Sequence, residues 1–307
     1  MPDANASAPP ELLTIRDYLR WAVSGFRKAK LTHGHGATTA VDEAAFLILE
    51  CLQLPVDDIN PWLDARLLPP ERERLTRLIR TRIETRKPAP YLVNRTYIHG
   101  VPFYVDERVI IPRSYIGELM FSGLFGGESF QLIEEPANIG AVLDLCTGSG
   151  CLAILAAELF PNAEVDAIDL SSDALAVAEI NLTEHELSNQ INLFHGNLFE
   201  PLEGRSYDLI ITNPPYVAEE EVAAFPPEYA QEPVMAHLGG PDGLDLVRRI
   251  LEEAPEHLNE GGGLLCEIGT GRDILEAEYP HLPFLWLDTA ESEGEVFWLT
   301  REQFAAV

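Results

Sequence analysis

Four consecutive residues, Asn213-Pro214-Pro215-Tyr216, carry the most informative chemistry in the chain. The two prolines fix φ and remove two backbone donors, so the carbonyl oxygens beside them are rigid acceptors. The Asn213 side-chain oxygen and the Pro214 carbonyl can hold both hydrogens of a planar NH2 group and orient its nitrogen without a strong base. Tyr216 supplies an aromatic wall that suits a cationic reagent. The tetrapeptide therefore predicts chemistry at an amide or amine nitrogen.

A second polar set surrounds a glycine-rich turn. Asp144 ends an apolar run and precedes Thr147-Gly148-Ser149-Gly150, where glycines let the backbone approach a ligand closely. The turn lacks the third glycine of a G-x-G-x-x-G dinucleotide site and the lysine of a P-loop, which disfavours a pyrophosphate ligand. Asp169 ends the next apolar run, 25 positions after Asp144, and can accept both hydroxyls of a ribose. Asn197 follows the third run and can bind an adenine edge.

An alternation of strand-like and helix-like segments must position these residues. Strands are predicted at 141–146, 164–168, 191–194, 207–212, 262–268, 283–287 and 295–300. Helices are predicted at 151–160, 172–187, 243–258 and 271–279. This order predicts an α/β fold with a seven-stranded, mostly parallel sheet whose strand ends meet at one ligand-binding edge. The gap between the last two strands is too short for a parallel crossover, so that pair should be antiparallel.

The first third of the chain follows a different pattern. Residues 1–10 are rich in Ala and Pro and are expected to be disordered. Helical periodicity predicts a small N-terminal helical domain over 1–90, which we expect to recognise the substrate. β-forming residues predict a β-hairpin linker within 91–115, and the sheet domain occupies 116–307. The arginines between residues 71 and 86 favour a solvated helix face over the alternative, contact with a macromolecular substrate.

The ordered set D-x-x-x-G-x-G, second-strand acid and N-P-P-Y resembles the class I S-adenosylmethionine-dependent methyltransferases. The resemblance implies a Rossmann-like fold, S-adenosylmethionine as cofactor, no metal ion, and Asn213, Pro214, Pro215 and Tyr216 as the catalytic loop. In that family the residues of the glycine turn surround the methionine part of the cofactor, and the next two strand ends hold its ribose and adenine. The expected cofactor contacts are Asp144, Thr147, Gly148, Gly150, Asp169, Asn197 and Asn213.

The layout after residue 10 also resembles the protein-glutamine N-methyltransferases, whose members act on translation release factors or on the large-subunit ribosomal protein L-three. The segment Ile111-Pro112-Arg113-Ser114-Tyr115-Ile116-Gly117-Glu118 is similar to P-R-S-P-I-G-E of the ribosomal-protein branch. The release-factor branch carries I-P-R-P-[DE]-T-E instead. The resemblance implies methyl transfer to the side-chain amide nitrogen of a glutamine, with the ribosomal protein favoured over a release factor.

The net charge of −29, from 50 acidic and 21 basic residues, repels nucleic-acid phosphates. It disfavours the other alternative, a DNA adenine N-methyltransferase, and predicts no requirement for direct nucleic-acid binding. Acidity of this kind is typical of solubility or salt adaptation, and it also suits a basic ribosomal protein as partner. With no signal segment, no membrane span and no CxxC pair, we expect a cytoplasmic protein whose cysteine thiols are free. The sequence does not indicate an oligomeric state.

The segment between Val217 and Gly243 is long for a connection in a compact domain. Long loops of this kind are usually functional. We therefore expect it to cover the substrate glutamine.

Overall fold

The N-terminal helices start where the sequence supplies a cap or a proline. In this computed structural model, which describes residues 9–127, 130–290 and 292–305, they are α1 Ile15–Ala29, α2 Ala40–Leu52, α3 Pro69–Thr85 and α4 Ala89–Val93. Thr14 and Asp17 form a capping box that satisfies open N–H groups at the start of α1. Pro69 begins α3, because its fixed φ suits a first helical turn. The disorder expected for 1–10 concerns mainly residues 1–8, which lie outside the described residues.

A β-hairpin follows these helices, as the sequence predicts. Strands β1 Thr96–Ile98 and β2 Val101–Phe103 pair antiparallel. His99 and Gly100 join them with φ of 47° and 84°, the left-handed pair that a tight two-residue hairpin turn requires.

The chain folds into two compact units. The N-terminal unit comprises Met1–Glu107 and Phe225–Glu232, and the sheet unit comprises Arg108–Ala224 and Pro233–Val307. The hairpin therefore belongs to the N-terminal unit, whose main segment runs to Glu107 rather than to residue 90. A short stretch of the loop after N-P-P-Y also belongs to that unit.

Ion pairs connect α2 with α3 inside the N-terminal unit and hold the short stretch there through Glu228. Arg82 is fully buried, and its Nε donates to Glu43 Oε1 at 2.8 Å. Glu228, also fully buried, pairs with Arg86 at 2.7 Å. Charges are tolerated at such depth because each has an opposite partner. The arginines of α3 are therefore not uniformly solvated, which corrects the sequence-based expectation for Arg82.

Seven strands of the described sheet unit form one sheet. They are β3 Ala141–Leu145, β4 Glu164–Asp169, β5 Ile191–His195, β6 Tyr207–Thr212, β7 Leu258–Glu267, β8 Leu285–Leu287 and β9 Val296–Thr300. The order is β5-β4-β3-β6-β7-β9-β8. Strands β3 to β7 pair in parallel, and β9 pairs antiparallel with both β7 and β8. The class I methyltransferase fold is confirmed, including the antiparallel final pair.

Helices connect and cover these strands. They are α5 Tyr115–Phe121, α6 Cys151–Leu159, α7 Ser172–Glu184, α8 Glu219–Ala223, α9 Asp245–Glu253, α10 Arg272–Glu278 and α11 Arg301–Phe304. Apolar residues of β3, β6 and β7 pack with those of α9 in one core, which fixes the carboxyl ends of the strands relative to one another. Within the described ranges, no helix combines the length and the apolar composition that a membrane crossing needs.

Candidate active site

A cavity of about 490 Å³ opens at the carboxyl ends of the parallel strands of the sheet unit. Its volume lies within the range of ligand pockets, roughly 300–1,000 Å³. Predicted site residues that line it are Gly148, Asp169, Asn197, Asn213 and Pro215. These five come from four strand ends that are adjacent in the sheet, so the fold brings together residues spread over 68 positions of sequence (148 to 215).

Asp144 lies beneath the glycine turn. It is fully buried, and its Oδ2 accepts from the Thr147 hydroxyl at 2.6 Å and from the Ala153 N–H at 3.0 Å. Burial raises the pKa of this carboxyl to about 7, while the two hydrogen bonds lower it. Asp144 and Thr147 therefore shape the turn from inside and hold it to the start of α6.

The two glycines of the turn have different surroundings. A Cβ on Gly148, whose φ is 57°, would meet open space, so its backbone lies bare toward the cavity. A Cβ on Gly150, at φ 80°, would lie 3.2 Å from the Ala178 Cβ. Gly148 therefore leaves room for a ligand to approach the backbone, whereas Gly150 lets α6 and α7 pack closely.

Asp169 ends β4 at the cavity wall. Its Oδ2 accepts from the Gly148 N–H at 2.8 Å, and its Oδ1 accepts from the Ser171 N–H at 2.8 Å. Burial raises the pKa of Asp169, and the backbone hydrogen bonds lower it. Each carboxylate oxygen retains a second lone pair. The side chain is therefore fixed in place and still able to accept from the hydroxyls of a ligand.

Asn197 is held from both sides. Its Oδ1 accepts from Arg249 Nη1 at 3.1 Å, and its Nδ2 donates to Glu200 Oε1 at 3.1 Å. Arg249 belongs to α9, 52 positions later in the chain. Sequence reasoning missed Arg249, because no local motif connects it to Asn197.

The N-P-P-Y loop presents its first residue to the cavity and its last residue to the protein. Asn213 lines the cavity, and its Nδ2 donates to the Arg113 carbonyl at 3.3 Å. Pro214 is buried and Pro215 lines the cavity. The Tyr216 hydroxyl donates to Glu267 Oε1 at 2.8 Å. The Arg113 carbonyl therefore fixes the nitrogen side of the Asn213 amide, and the side-chain oxygen is the acceptor that the amide can offer to a substrate.

The loop from Val217 to Gly243 returns to the N-P-P-Y backbone. The Val217 N–H donates to the His237 carbonyl at 2.8 Å, and the Gly239 N–H donates to the Val217 carbonyl at 2.9 Å. A Cβ on Gly239 would lie 2.7 Å from the Pro215 carbonyl oxygen, so only glycine permits this approach. The residues from Pro233 to Gly240 thereby form a wall of the cavity.

Glu267, Gly269 and Arg249 are functional candidates that sequence reasoning did not identify. Glu267 is buried and binds the Tyr216 hydroxyl, and a Cβ on Gly269 would lie 2.8 Å from the Tyr216 ring. The sequence shows these two only as an acid and a glycine at the end of a strand. One signal could have identified Glu267: it is a polar residue at the end of an apolar strand, and that strand lies beside the strand that leads into N-P-P-Y.

Comparisons with known proteins agree with this geometry. Residues 130–226 match the family model of the methyltransferase small domain. The ribosomal protein uL3 glutamine methyltransferase of Bradyrhizobium diazoefficiens is 57% identical over 290 residues, which cover 94% of this chain and 91% of that protein. The proteins of the same name from Bordetella pertussis and Neisseria gonorrhoeae are 50% and 52% identical, over 95% and 96% of this chain and 97% of each relative.

Proposed function

The chain belongs to the family of ribosomal protein uL3 glutamine methyltransferases, and we propose that it methylates the side-chain amide nitrogen of a glutamine in uL3. In this proposal Asn213-Pro214-Pro215-Tyr216 is the catalytic loop. One observation carries the proposal: the Asn213 amide borders the cavity, and its nitrogen donates to the Arg113 carbonyl, which fixes the orientation of the amide.

The cavity suits S-adenosylmethionine, which supplies an electrophilic methyl group on a sulfonium. Gly148 offers bare backbone where a side chain would obstruct the ligand, and the Asp169 carboxylate can accept from the ribose hydroxyls. Asn197 follows the end of β5 and is oriented by Arg249 and Glu200, and it can bind the adenine edge. Asp144, Thr147 and Gly150 support this set by holding the turn and α6 in place.

The chemical problem is the weak nucleophilicity of an amide nitrogen, whose lone pair is delocalised into its carbonyl. The Asn213 Oδ1 and the Pro214 carbonyl can each accept one N–H of the substrate amide. Both acceptors are rigid, since Pro214 fixes the backbone and Arg113 fixes the Asn213 side chain. Fixed dipoles that favour one orientation of the nitrogen lower the barrier without a proton being removed first.

The substrate assignment rests on the relatives and on charge. The three uL3 methyltransferases named above match this chain over nearly its whole length. The net charge of −29 favours a basic protein over DNA as the macromolecular partner. Residues Pro233 to Gly240 wall the cavity, and in this proposal they contact the protein segment that carries the glutamine.

A transfer assay tests the proposal. The full chain is incubated with methyl-labelled S-adenosylmethionine and, separately, with uL3, a release factor or duplex DNA, and labelled products are mapped by mass spectrometry. We expect label on one glutamine of uL3. Asn213→Ala should lose at least about 100-fold in kcat, because an oriented acceptor acting in the transition state is removed. Label confined to the release factor or DNA would contradict the substrate, and wild-type turnover by Asn213→Ala would contradict the mechanism.

A further inference from the structure

Glu267 is a fully buried carboxylate that binds three groups from two other parts of the sheet unit. Its Oε2 accepts from the Ser114 hydroxyl at 2.7 Å and from the Tyr115 N–H at 2.9 Å, while its Oε1 accepts from the Tyr216 hydroxyl at 2.8 Å. The Ser114 oxygen in turn accepts from the Ile116 N–H at 3.2 Å, so its proton is directed to Glu267. Burying a carboxylate is costly unless it is hydrogen-bonded, and here both oxygens are used.

The side chain of Tyr216 is fixed by the same short segment. A Cβ on Gly269 would lie 2.8 Å from the Tyr216 ring, so the ring lies directly over that glycine. Burial and the neighbouring Glu267 raise the pKa of Tyr216 well above its ordinary value, so the hydroxyl remains a donor. Glu267-Ile268-Gly269 therefore holds both the ring and the hydroxyl at the end of the catalytic loop.

The first residue of the loop is held by the segment that Glu267 binds. Asn213 Nδ2 donates to the carbonyl of Arg113, the residue directly before Ser114. Sheet register makes this possible, because Thr212 of β6 is the partner of Cys266 of β7, so Asn213 and Glu267 leave the sheet side by side. The two ends of N-P-P-Y are thus tied to one segment, Asn213 directly and Tyr216 through Glu267.

We propose that Glu267 is a positioning residue, which joins the Ser114-Tyr115 segment to Tyr216 and thereby fixes the direction in which Asn213 and Pro214 present their oxygens. This inference rests on the proposed catalytic loop and adds a residue that acts through Tyr216 without touching the substrate. A loop that can tilt would still bind cofactor and protein, but it would hold the amide nitrogen in the reactive orientation less often. Loss of Glu267 or of its bond should therefore lower kcat more than it changes KM.

The chain contains a matched control for the central bond. Tyr207 begins β6, and its hydroxyl donates to the buried Asp166 carboxylate at 2.7 Å, so the same chemical pair occurs at the opposite end of the strand that leads to Tyr216. We compare Tyr216→Phe with Tyr207→Phe in the uL3 transfer assay. We expect kcat to fall about tenfold or more in Tyr216→Phe, with KM for uL3 and the calorimetric Kd for S-adenosylmethionine within about threefold. Tyr207→Phe should keep kcat within about twofold.

Substitution of Glu267 itself gives a graded test. Glu267→Gln keeps an acceptor for Ser114 and Tyr115 and should retain more kcat than Glu267→Ala. Asn213→Ala separates the two proposals. If Asn213→Ala is inactive while Tyr216→Phe and Tyr207→Phe have the same kcat, the positioning role is wrong and the catalytic loop stands. If Asn213→Ala turns over like the wild type, the catalytic loop is wrong and the positioning role falls with it.

Discussion

The carboxylate of Asp169 accepts a hydrogen bond from the Gly148 N–H at 2.8 Å, which joins the end of β4 to the glycine turn that follows β3. Both residues line the cavity. One side chain therefore fixes the shape of the turn and presents its remaining lone pairs to a ligand.

Asp169→Ala should weaken S-adenosylmethionine binding by about 10- to 100-fold. A hydrogen bond to a charged group contributes roughly 1.5–3 kcal/mol, and the substitution also releases the Gly148 N–H. Calorimetric titration of the full chain measures the change. Asp173→Ala, which removes an exposed carboxylate on α7, is the control and should leave Kd unaltered. Equal Kd values for Asp169→Ala and the wild type would mean that the ligand does not use this carboxylate.

Asn213→Asp tests the orientation of the catalytic amide. The substitution keeps the side-chain shape but replaces the Nδ2 donor by an oxygen that faces the Arg113 carbonyl, 3.3 Å from the present nitrogen. Two facing acceptors repel, at a cost of roughly 1–3 kcal/mol. We expect kcat to fall by about 10- to 100-fold while the Kd for S-adenosylmethionine changes little. An Asn213→Asp enzyme with full kcat would show that the bond to Arg113 has no part in catalysis.

Asp144 should make stability depend on pH below neutrality. Its pKa is about 7 in the native state, because of burial, against an ordinary 3.8. Between those two pKa values the native state holds a proton that the unfolded chain has released. The contribution of neutral Asp144 to the free energy of unfolding is therefore fully present below about pH 4, and it is lost as pH rises through about 7. Asn at this position stays neutral. The difference in unfolding free energy, Asp144→Asn minus wild type, should rise by roughly 2–4 kcal/mol from pH 5 to pH 8.

Denaturant unfolding at several pH values measures that difference. The control is Asp173→Asn, at an exposed position. A difference for Asp144→Asn that does not change over this pH range would show that the native carboxyl is already ionised at pH 5.

Cys146 combines a non-glycine side chain with φ of 60°, at a position that lines the cavity. The left-handed region costs an L-residue roughly 1–2 kcal/mol, and a β-branched residue fits it worse. The wild-type Cys already bears that cost, so the substitution adds only the poorer fit of a β-branched side chain, and we expect Cys146→Val to destabilise the protein and to weaken S-adenosylmethionine binding. Cys146→Gly should remain within about 1 kcal/mol of the wild type. Thermal unfolding decides the order, and a Val variant more stable than the Gly variant would contradict it.

Local features of this protein can be read from its amino-acid sequence alone. Asn213-Pro214-Pro215-Tyr216 and Asp144 to Gly150 are contiguous, and their glycines and prolines act on the backbone wherever they lie. The alternation of strands and helices determined the parallel sheet, and the short gap before β9 determined its antiparallel pairing. These signals predicted that Gly148, Asp169, Asn197 and Asn213 meet at one edge, because the ends of parallel strands must do so.

The contacts that support these residues form only when the chain is folded. Ser114 and Glu267 are 153 positions apart, and Asn197 and Arg249 are 52 apart. Such pairs depend on which strands and helices are neighbours, and no short stretch of sequence predicts the order of the strands in the sheet. The fold also buries the Asp144 side chain and makes residues 225–232 part of the N-terminal unit. A buried charge can lie only where partners converge, and that convergence exists only once the chain has packed.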